Sequence, residues 1–397
     1  MEKIWINIPD VLFFQEGPGV RNTQYTTEGV KLLNVANLVD GKVDLSKSDR
    51  YISEDEAYGK YKHFLCDAGD FVIASSGIKV EYIDKKMGFV DESMLPLCMN
   101  TSTIRFKVLD DNKLRIRYFM YYLKSQHFKD QLFKQITGSA QLNYGPSHLK
   151  KMIMPLISLS KQDEIIACMD KVQSVIEMRR QELVKLDDLI KARFVEMFEN
   201  KTEYDQFRLE EIADIVSGIT KGRKTKCGEL REVPYMAVSN VKDGYIDWTT
   251  VKTILATEDE IIQYKLLPDD VLMTEGGDPD KLGRGAIISL PPKDCIHQNH
   301  IFRVRLDETR ILPRYFSAYL QSPQAKTYFL RAAKQTTGIA SINMRQLRGL
   351  LTIVPSIEQQ LKYVSFSEQV DKSKVEVQKA LDETQKLFDS LMQQYFG

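Results

Sequence analysis

The sequence predicts an α+β protein: two similar globular domains related by pseudo-two-fold symmetry, separated by two long helices packed as an antiparallel coiled coil. Three observations predict this. The 397-residue chain writes one unit twice, about two hundred residues apart. Each copy mixes short strand patterns with amphipathic helix. Each copy then runs into a long stretch holding neither Gly nor Pro.

The repeated elements keep their order. "VANLVDGKVDL" from Val35 matches "VSNVKDGYIDW" from Val238, with Asn37/Asn240, Gly41/Gly244 and Asp44/Asp247 in step. Both read as strand, Asp-Gly turn, strand. "GDFVIASSG" from Gly69 parallels "DDVLMTEGG" from Asp269, a buried strand entering a loop of small residues. "RYFMYYLKS" from Arg117 matches "RYFSAYLQS" from Arg314, an amphipathic helix with its aromatics on one face. "TGSAQLNYGPSHLKKMIMPL" from Thr137 then meets "TGIASINMRQLRGLLTIVPS" from Thr337. Thr137/Thr337, Gly138/Gly338, Asn143/Asn343 and Pro155/Pro355 share one offset. They read as a left-handed Gly turn, an Asn helix cap and a Pro that ends the following strand.

After Pro155, Ile165, Met169, Val172, Ile176, Leu183, Leu186, Ile190 and Met197 alternate spacings of four and three around Arg179 and Arg193. After Pro355, Val370, Val377, Leu381, Phe388, Leu391 and Tyr395 follow the same rule around Lys374 and Thr384. Each is a heptad seam on a helix of about 36 residues, about 54 Å long. A lone helix of this kind would lie on its own domain, whereas two in one chain favour pairing with each other. The domain boundaries that follow are 1–157, a central helix 158–200, 201–357, and a second helix 358–397.

An apolar fraction of 43% with no long apolar run predicts a globular chain that does not span a bilayer. The start, "MEKIWINIPDVLFF", lacks the basic region and cleavage site of a signal peptide. Cys66, Cys98, Cys168, Cys227 and Cys295 are scattered and odd in number, which reads as a reducing, cytoplasmic setting. Net charge is zero, but residues 1–155 carry 21 basic and 19 acidic residues and residues 206–355 carry 21 and 18. The helical stretches are acidic instead, so two slightly basic blocks alternate with two acidic ones. Nucleic acid is therefore permitted as a partner, with modest affinity unless another chain adds phosphate contacts.

Two copies thrown apart by antiparallel helices would imitate a homodimer whose heads are free to differ. Duplex DNA has the matching symmetry, and such a rod would contact two short sequences across an unread gap. The stretch "EGPGVRNTQYTTEGVKLLNVANL", the second-copy "TEGGDPDKLGRGAI", the repeated TG-x-x-x-(L/I)-N and the long helices after Pro155 and Pro355 resemble the specificity subunit of type I restriction-modification enzymes over essentially the full length. That resemblance implies that each domain is a target-recognition domain and that the helices act as spacer and docking surface. It implies two modification subunits, which bind S-adenosylmethionine and methylate adenine at N6, and restriction subunits that use ATP with Mg. It further implies that this chain binds no cofactor or metal itself. The alternatives are a two-headed coiled-coil scaffold that ignores DNA, or the specificity subunit of a methylation-only or type IIB system.

Candidate DNA contacts are read from the loops. "GITKGRKTKCGEL" offers Lys221, Arg223, Lys224 and Lys226 to phosphates or guanine. "EGGDPDKLGRG" offers Asp278, Lys281 and Arg284, with an Asp able to accept from cytosine N4. In the first copy, "EGPGVRNTQY" offers Arg21, Gln24 and Tyr25, and "SSGIKVEYIDKK" offers Ser76, Lys79, Lys85 and Lys86. For each, a plain solvated loop is the competing reading. No phosphate loop of the GxxxxGK[ST] kind is present, and "SLPPKD" lacks both flanks of an adenine-methyltransferase tetrapeptide. "CIHQNH" brings Cys295, His297 and His300 close in sequence, too few for a structural zinc. The chain is therefore expected to be a non-catalytic recognition part.

Overall fold

The computed structural model describes residues 3–135, 142–199, 204–223, 229–277, 282–336 and 339–397. It divides into two compact units. Unit 1 comprises Met1–Arg180 with Lys379–Gly397, and unit 2 comprises Gln181–Gln378.

Unit 1 is built on a four-stranded antiparallel sheet in the order Leu12–Glu16, Thr103–Val108, Phe71–Ala74, Met87–Phe89. Phe71–Ala74 is buried at every position, as its unbroken apolar run predicts. A three-stranded sheet pairs Val30–Leu33 with Leu97–Met99 in parallel and with Tyr51–Ile52 in antiparallel. The helix Ile116–Lys124 buries Tyr118, Phe119, Tyr121, Tyr122 and Leu123. Phe119 meets Phe106 on the sheet at 5.0 Å between ring centroids.

Unit 2 repeats the plan with Ala213–Ser217, Ile301–Leu306, Val271–Thr274 and Gly285–Ile287 in one sheet. A second sheet joins Lys252–Ala256, Arg231–Met236 and Ile296–His297. The helix Pro313–Leu320 takes the place of the aromatic helix of unit 1. The repeated Asn-Gly-Asp words close the same turn in both units. Asn37 accepts from the Asn34 N–H at 2.9 Å and donates to the Asp44 carbonyl at 3.0 Å. Asn240 accepts from the Ala237 N–H at 3.0 Å and donates to the Asp247 carbonyl at 2.9 Å. The expected strand–turn–strand is two short strands, Leu38–Val39 and Lys42–Val43, in unit 1. In unit 2 it shrinks to a single bridge, Val241 to Ile246.

The two long helices run Leu159–Phe198 and Ile357–Phe396, 40 residues each. Each starts on the same anchor. Gln162 accepts from the Arg115 N–H at 2.8 Å and donates to the Lys113 carbonyl at 2.9 Å. Gln360 accepts from the Leu312 N–H at 2.8 Å and donates to the Arg310 carbonyl at 2.9 Å. Within unit 2, Lys374 pairs with Asp187, Arg193 covers the Phe366 ring and Phe194 stacks on Tyr363. Positions rise on one helix as they fall on the other, so the pairing there is antiparallel. Within unit 1, Ile165, Met169 and Ile176 share a core with Phe388, Met392 and Phe396.

At their C-terminal ends the helices leave the expected seam. Met197, Leu391 and Tyr395 are only half-buried, and Phe194, Phe198, Met392 and Phe396 take the buried places. Here the helix end faces the aromatic core of a unit as well as its partner helix, which turns the buried stripe. Phe396 lies 5.2 Å from Tyr118 and 6.2 Å from Tyr122 in unit 1. Phe198 lies 4.9 Å from Tyr315 and 5.8 Å from Tyr363 in unit 2. Each unit is thus closed by the helix end that belongs, in sequence, to the other copy.

The identities around the TG motif need a correction. Asn343 caps the helix Met344–Arg348, its side chain accepting from the Gln346 N–H at 3.0 Å. In unit 1 the corresponding cap of Pro146–Leu149 is Gly145, not Asn143. Pro355 follows the strand Leu351–Val354, whereas Pro155 lies inside Ile153–Leu156, opposite Trp5. The first copy carries two more residues between the motif and the helix, so equal spacing in sequence is not equal place in the fold. Thr137, Gly138, Thr337 and Gly338 themselves lie outside the described residues.

Candidate nucleic-acid interface

The candidate loops gather at one end of the four-stranded sheet of each unit. In unit 2 the strands Ala213–Ser217 and Val271–Thr274 finish there, and Gly285–Ile287 and Ile301–Leu306 begin there. The loop after Ser217 is tied down by Ile219 N–H to the His297 carbonyl at 2.9 Å and Asn299 N–H to the Ile219 carbonyl at 3.1 Å. The loop after Thr274 is held by Glu275 N–H to the His300 carbonyl at 3.0 Å and Ile342 N–H to the Glu275 carbonyl at 2.8 Å. Unit 1 repeats this with Ser75 N–H to the Ser102 carbonyl at 2.8 Å and Tyr144 N–H to the Ser75 carbonyl at 3.0 Å. Backbone approach at this end demands glycine. A Cβ on Gly17 would sit 2.1 Å from the Asn100 carbonyl oxygen, and one on Gly218 would sit 1.9 Å from that of His297.

In unit 1, Arg21 is exposed in the loop that follows Glu16. Gln24 is already engaged, donating to Glu56 at 2.6 Å and to the Tyr61 hydroxyl at 3.0 Å. Tyr25 lies under the Arg50 guanidinium, 5.2 Å from its ring centroid. Ser76 sits in a strand opposite Asn143. Lys79 is exposed, Lys85 rests 5.4 Å from the Tyr82 ring centroid, and Lys86 is half-buried. In unit 2, Lys221 is exposed and Arg284 half-buried. Arg223 forks onto Glu260 at 2.7 and 2.5 Å, a hydrogen bond that raises the arginine's pKa above its ordinary value and lowers the glutamate's. Lys224, Lys226, Asp278 and Lys281 lie outside the described residues.

Sequence reading missed two features. Arg50 and Tyr25 are brought together by the fold, with no local spacing to announce them. Residues 309–355 hold seven basic and no acidic residues, a signal the regional charge count averaged away. Of these, Lys326, Arg331, Arg345 and Arg348 are exposed. Arg331 also borders an open groove of about 590 Å³ with Thr327 and Tyr328, whose hydroxyl donates to the Gln346 carbonyl at 2.7 Å.

The "CIHQNH" residues serve separate purposes. Burial pushes the Cys295 thiol up to about 12. His297 is enclosed, with Nδ1 3.1 Å from the Tyr264 carbonyl and Nε2 3.3 Å from that of Val216. Burial, opposed by those two carbonyls, pushes its pKa down to about 4. A histidine held neutral contributes stability that is complete above its unfolded value of about 6.5 and is lost as pH falls from there toward 4. Unit 2 should therefore lose about 3 kcal/mol across that window. Trp248 fluorescence during urea unfolding at pH 7 and at pH 4.5 measures it. His297→Gln should flatten the dependence; an unchanged acid loss in that variant would assign it to other groups.

Comparison with known proteins gives this arrangement its setting. The sequence model of a family described as "Type I restriction modification DNA specificity domain" matches residues 26–187 and again 201–385. The chain belongs to that family. The two matches fall one on each copy, so the type I specificity domain is present twice in this chain. Among its relatives, the type I restriction enzyme EcoKI specificity subunit of Escherichia coli (strain K12) is 22% identical over 310 residues, covering 73% of this chain and 67% of that protein. The putative type I restriction enzyme MjaX specificity subunit of Methanocaldococcus jannaschii is 24% identical over 204 residues, covering 51% of this chain and 47% of that protein. The specificity-domain fold is shared with the S subunit of a type I restriction-modification system from M. genitalium, at a TM-score of 0.52, 15% identity and coverage of 98% and 95% of the two chains. A chain from a solved type I R-M assembly matches at a TM-score of 0.60 and 15% identity, covering 99% and 97%.

Proposed function

We propose that this chain is the DNA-reading part of a type I restriction-modification assembly. Each unit reads one half of a two-part duplex target, and the paired helices set the unread gap and dock two modification subunits. The observation that carries this reading is the double set of loops: one scaffold, used twice, ends in different side chains, as two different half-sites require. Arg21, Lys79 and Lys85 in one unit and Lys221, Arg284 and the exposed cations of 309–355 in the other supply phosphate contacts. Apolar side chains stand exposed on the long helices, among them Met178, Val184, Leu361 and Val375, which supports a docking role. Methylation and cleavage then belong to partner subunits, which bring S-adenosylmethionine and ATP with Mg.

The test is an exchange. Replacing residues 206–355 with the matching region of a relative, in a chain co-expressed with its modification subunit, should change one half of the methylated motif and leave the other intact. Methylation mapping in which both halves change together would overturn independent reading by the two units.

A further inference from the structure

Among the described residues that end or directly follow the strands at the loop-bearing end of each sheet, one is a carboxylate, and the two units place it on opposite sides of the central strand. In unit 1, Glu16 ends the strand on one side, opposite Ile104, and Ser75 follows the strand on the other. In unit 2, Ser217 holds the place of Glu16, opposite Phe302, and Glu275 holds the place of Ser75. Serine and glutamate are transposed. Neither carboxylate has a lysine or arginine partner among the described residues. Glu16 accepts from the Ser75 hydroxyl at 3.2 Å. Glu275 pairs with His300 at 2.5 Å, and Asn299 Nδ2 lies 3.4 Å from the other ring nitrogen. Arg284 is near, its carbonyl accepting from the Thr274 N–H at 3.2 Å, yet its side chain does not neutralise Glu275.

A carboxylate among loops that face phosphates is repelled by them unless it meets a donor. In the major groove the available donors are the exocyclic amino groups, cytosine N4 and adenine N6. Glu275 is also fixed rigidly, with its own N–H and carbonyl both bonded to neighbouring segments. We infer that Glu275 in unit 2, and Glu16 in unit 1, each read one base of their half-site by accepting a hydrogen bond from an exocyclic amino group. His300 is the positioning residue that orients Glu275. The transposition lets one scaffold aim the same acceptor at different places in the two half-sites. This inference rests on the proposed function.

The experiment is methylation mapping of the full chain, co-expressed with its modification subunit, as wild type and as Glu275→Ala, Glu275→Gln, Glu16→Ala and His300→Ala. The wild type should methylate a two-part motif holding cytosine or adenine at a fixed place in each half. Glu275→Ala should relax selectivity at one such base by about tenfold or more. Glu275→Gln should favour adenine there, since a glutamine amide matches adenine N6 and N7. Glu16→Ala should act only in the other half, and His300→Ala should weaken the same base as Glu275→Ala. The unaffected half in each variant shows that the chain is folded. A wild-type two-part motif that survives Glu275→Ala and Glu16→Ala unchanged overturns the inference. A wild type with no two-part motif overturns the proposed function, and this reading with it.

Discussion

Phe198→Ala should unfold unit 2 selectively, at a cost of about 3–5 kcal/mol. Phe198 is 1% exposed. Its ring meets Phe194, Tyr204, Tyr315 and Tyr363 at centroid distances of 5.2, 6.2, 4.9 and 5.8 Å. Truncation leaves a cavity walled by large rings that cannot collapse into it, which places the cost at the upper end. The mirror variant, Phe396→Ala, should act on unit 1, and less, because among the described residues only the rings of Tyr118 and Tyr122 meet that of Phe396. One tryptophan lies in each unit, Trp5 in unit 1 and Trp248 in unit 2, so single-tryptophan backgrounds report the units separately. Urea midpoints that shift equally for both tryptophans in Phe198→Ala would contradict the assignment of each helix end to one unit.

The second large effect is expected at Asp70. Its carboxylate is 3% exposed and lies 3.3 Å from Arg105 Nη1 and 3.4 Å from Lys107 Nζ. Arg105, itself 9% exposed, also donates to the carbonyls of Leu65 and His63 and to Gln15, at 2.6, 2.7 and 2.8 Å. Those acceptors are neutral. Asp70→Ala would leave a buried guanidinium without its nearest counter-charge, costing unit 1 about 3–5 kcal/mol. Asp70→Leu combined with Arg105→Met should recover most of that loss, because the desolvation cost goes with the charge. The corresponding Asp270→Ala in unit 2 should cost less. There Arg303 is paired with Asp214, and only Arg305, bonded to Asp270 at 2.8 Å twice, loses its partner. Trp5 fluorescence in urea decides the first case and Trp248 the second; a double variant no more stable than Asp70→Ala would refute the charge argument.

The fold was legible where one residue type answers one geometric demand. Asn37 and Asn240 close the same turn, and the unbroken run Phe71–Ala74 is buried throughout. Heptad spacing found the long helices and, of their buried side, Ile165, Met169, Ile176, Val370, Val377 and Phe388. It missed Phe194, Phe198, Met392 and Phe396, because the helix ends are buried by aromatic cores distant in sequence, which no local period records. Counting equal spacings also failed at Asn143 and Pro155, where two added residues shift the frame. The candidate interface was legible as loops and not as partners. Nothing near Arg223 announces Glu260, and nothing near Gln24 announces Glu56 and Tyr61. The transposed Ser75 and Glu275 could be read only after the sheets fixed which strand stood beside which.

The placement of Phe396 among the tyrosines of unit 1 sets a schedule for the nascent polypeptide. Synthesis delivers the sheets of unit 1 early, but their closing aromatic is translated only after all of Gln181–Gln378. At about 5–20 residues per second this is a wait of roughly 10–40 s. Through that interval an apolar pit faces water or a chaperone, while unit 2, whose Phe198 precedes its own sheets, has its closing ring in hand from the start.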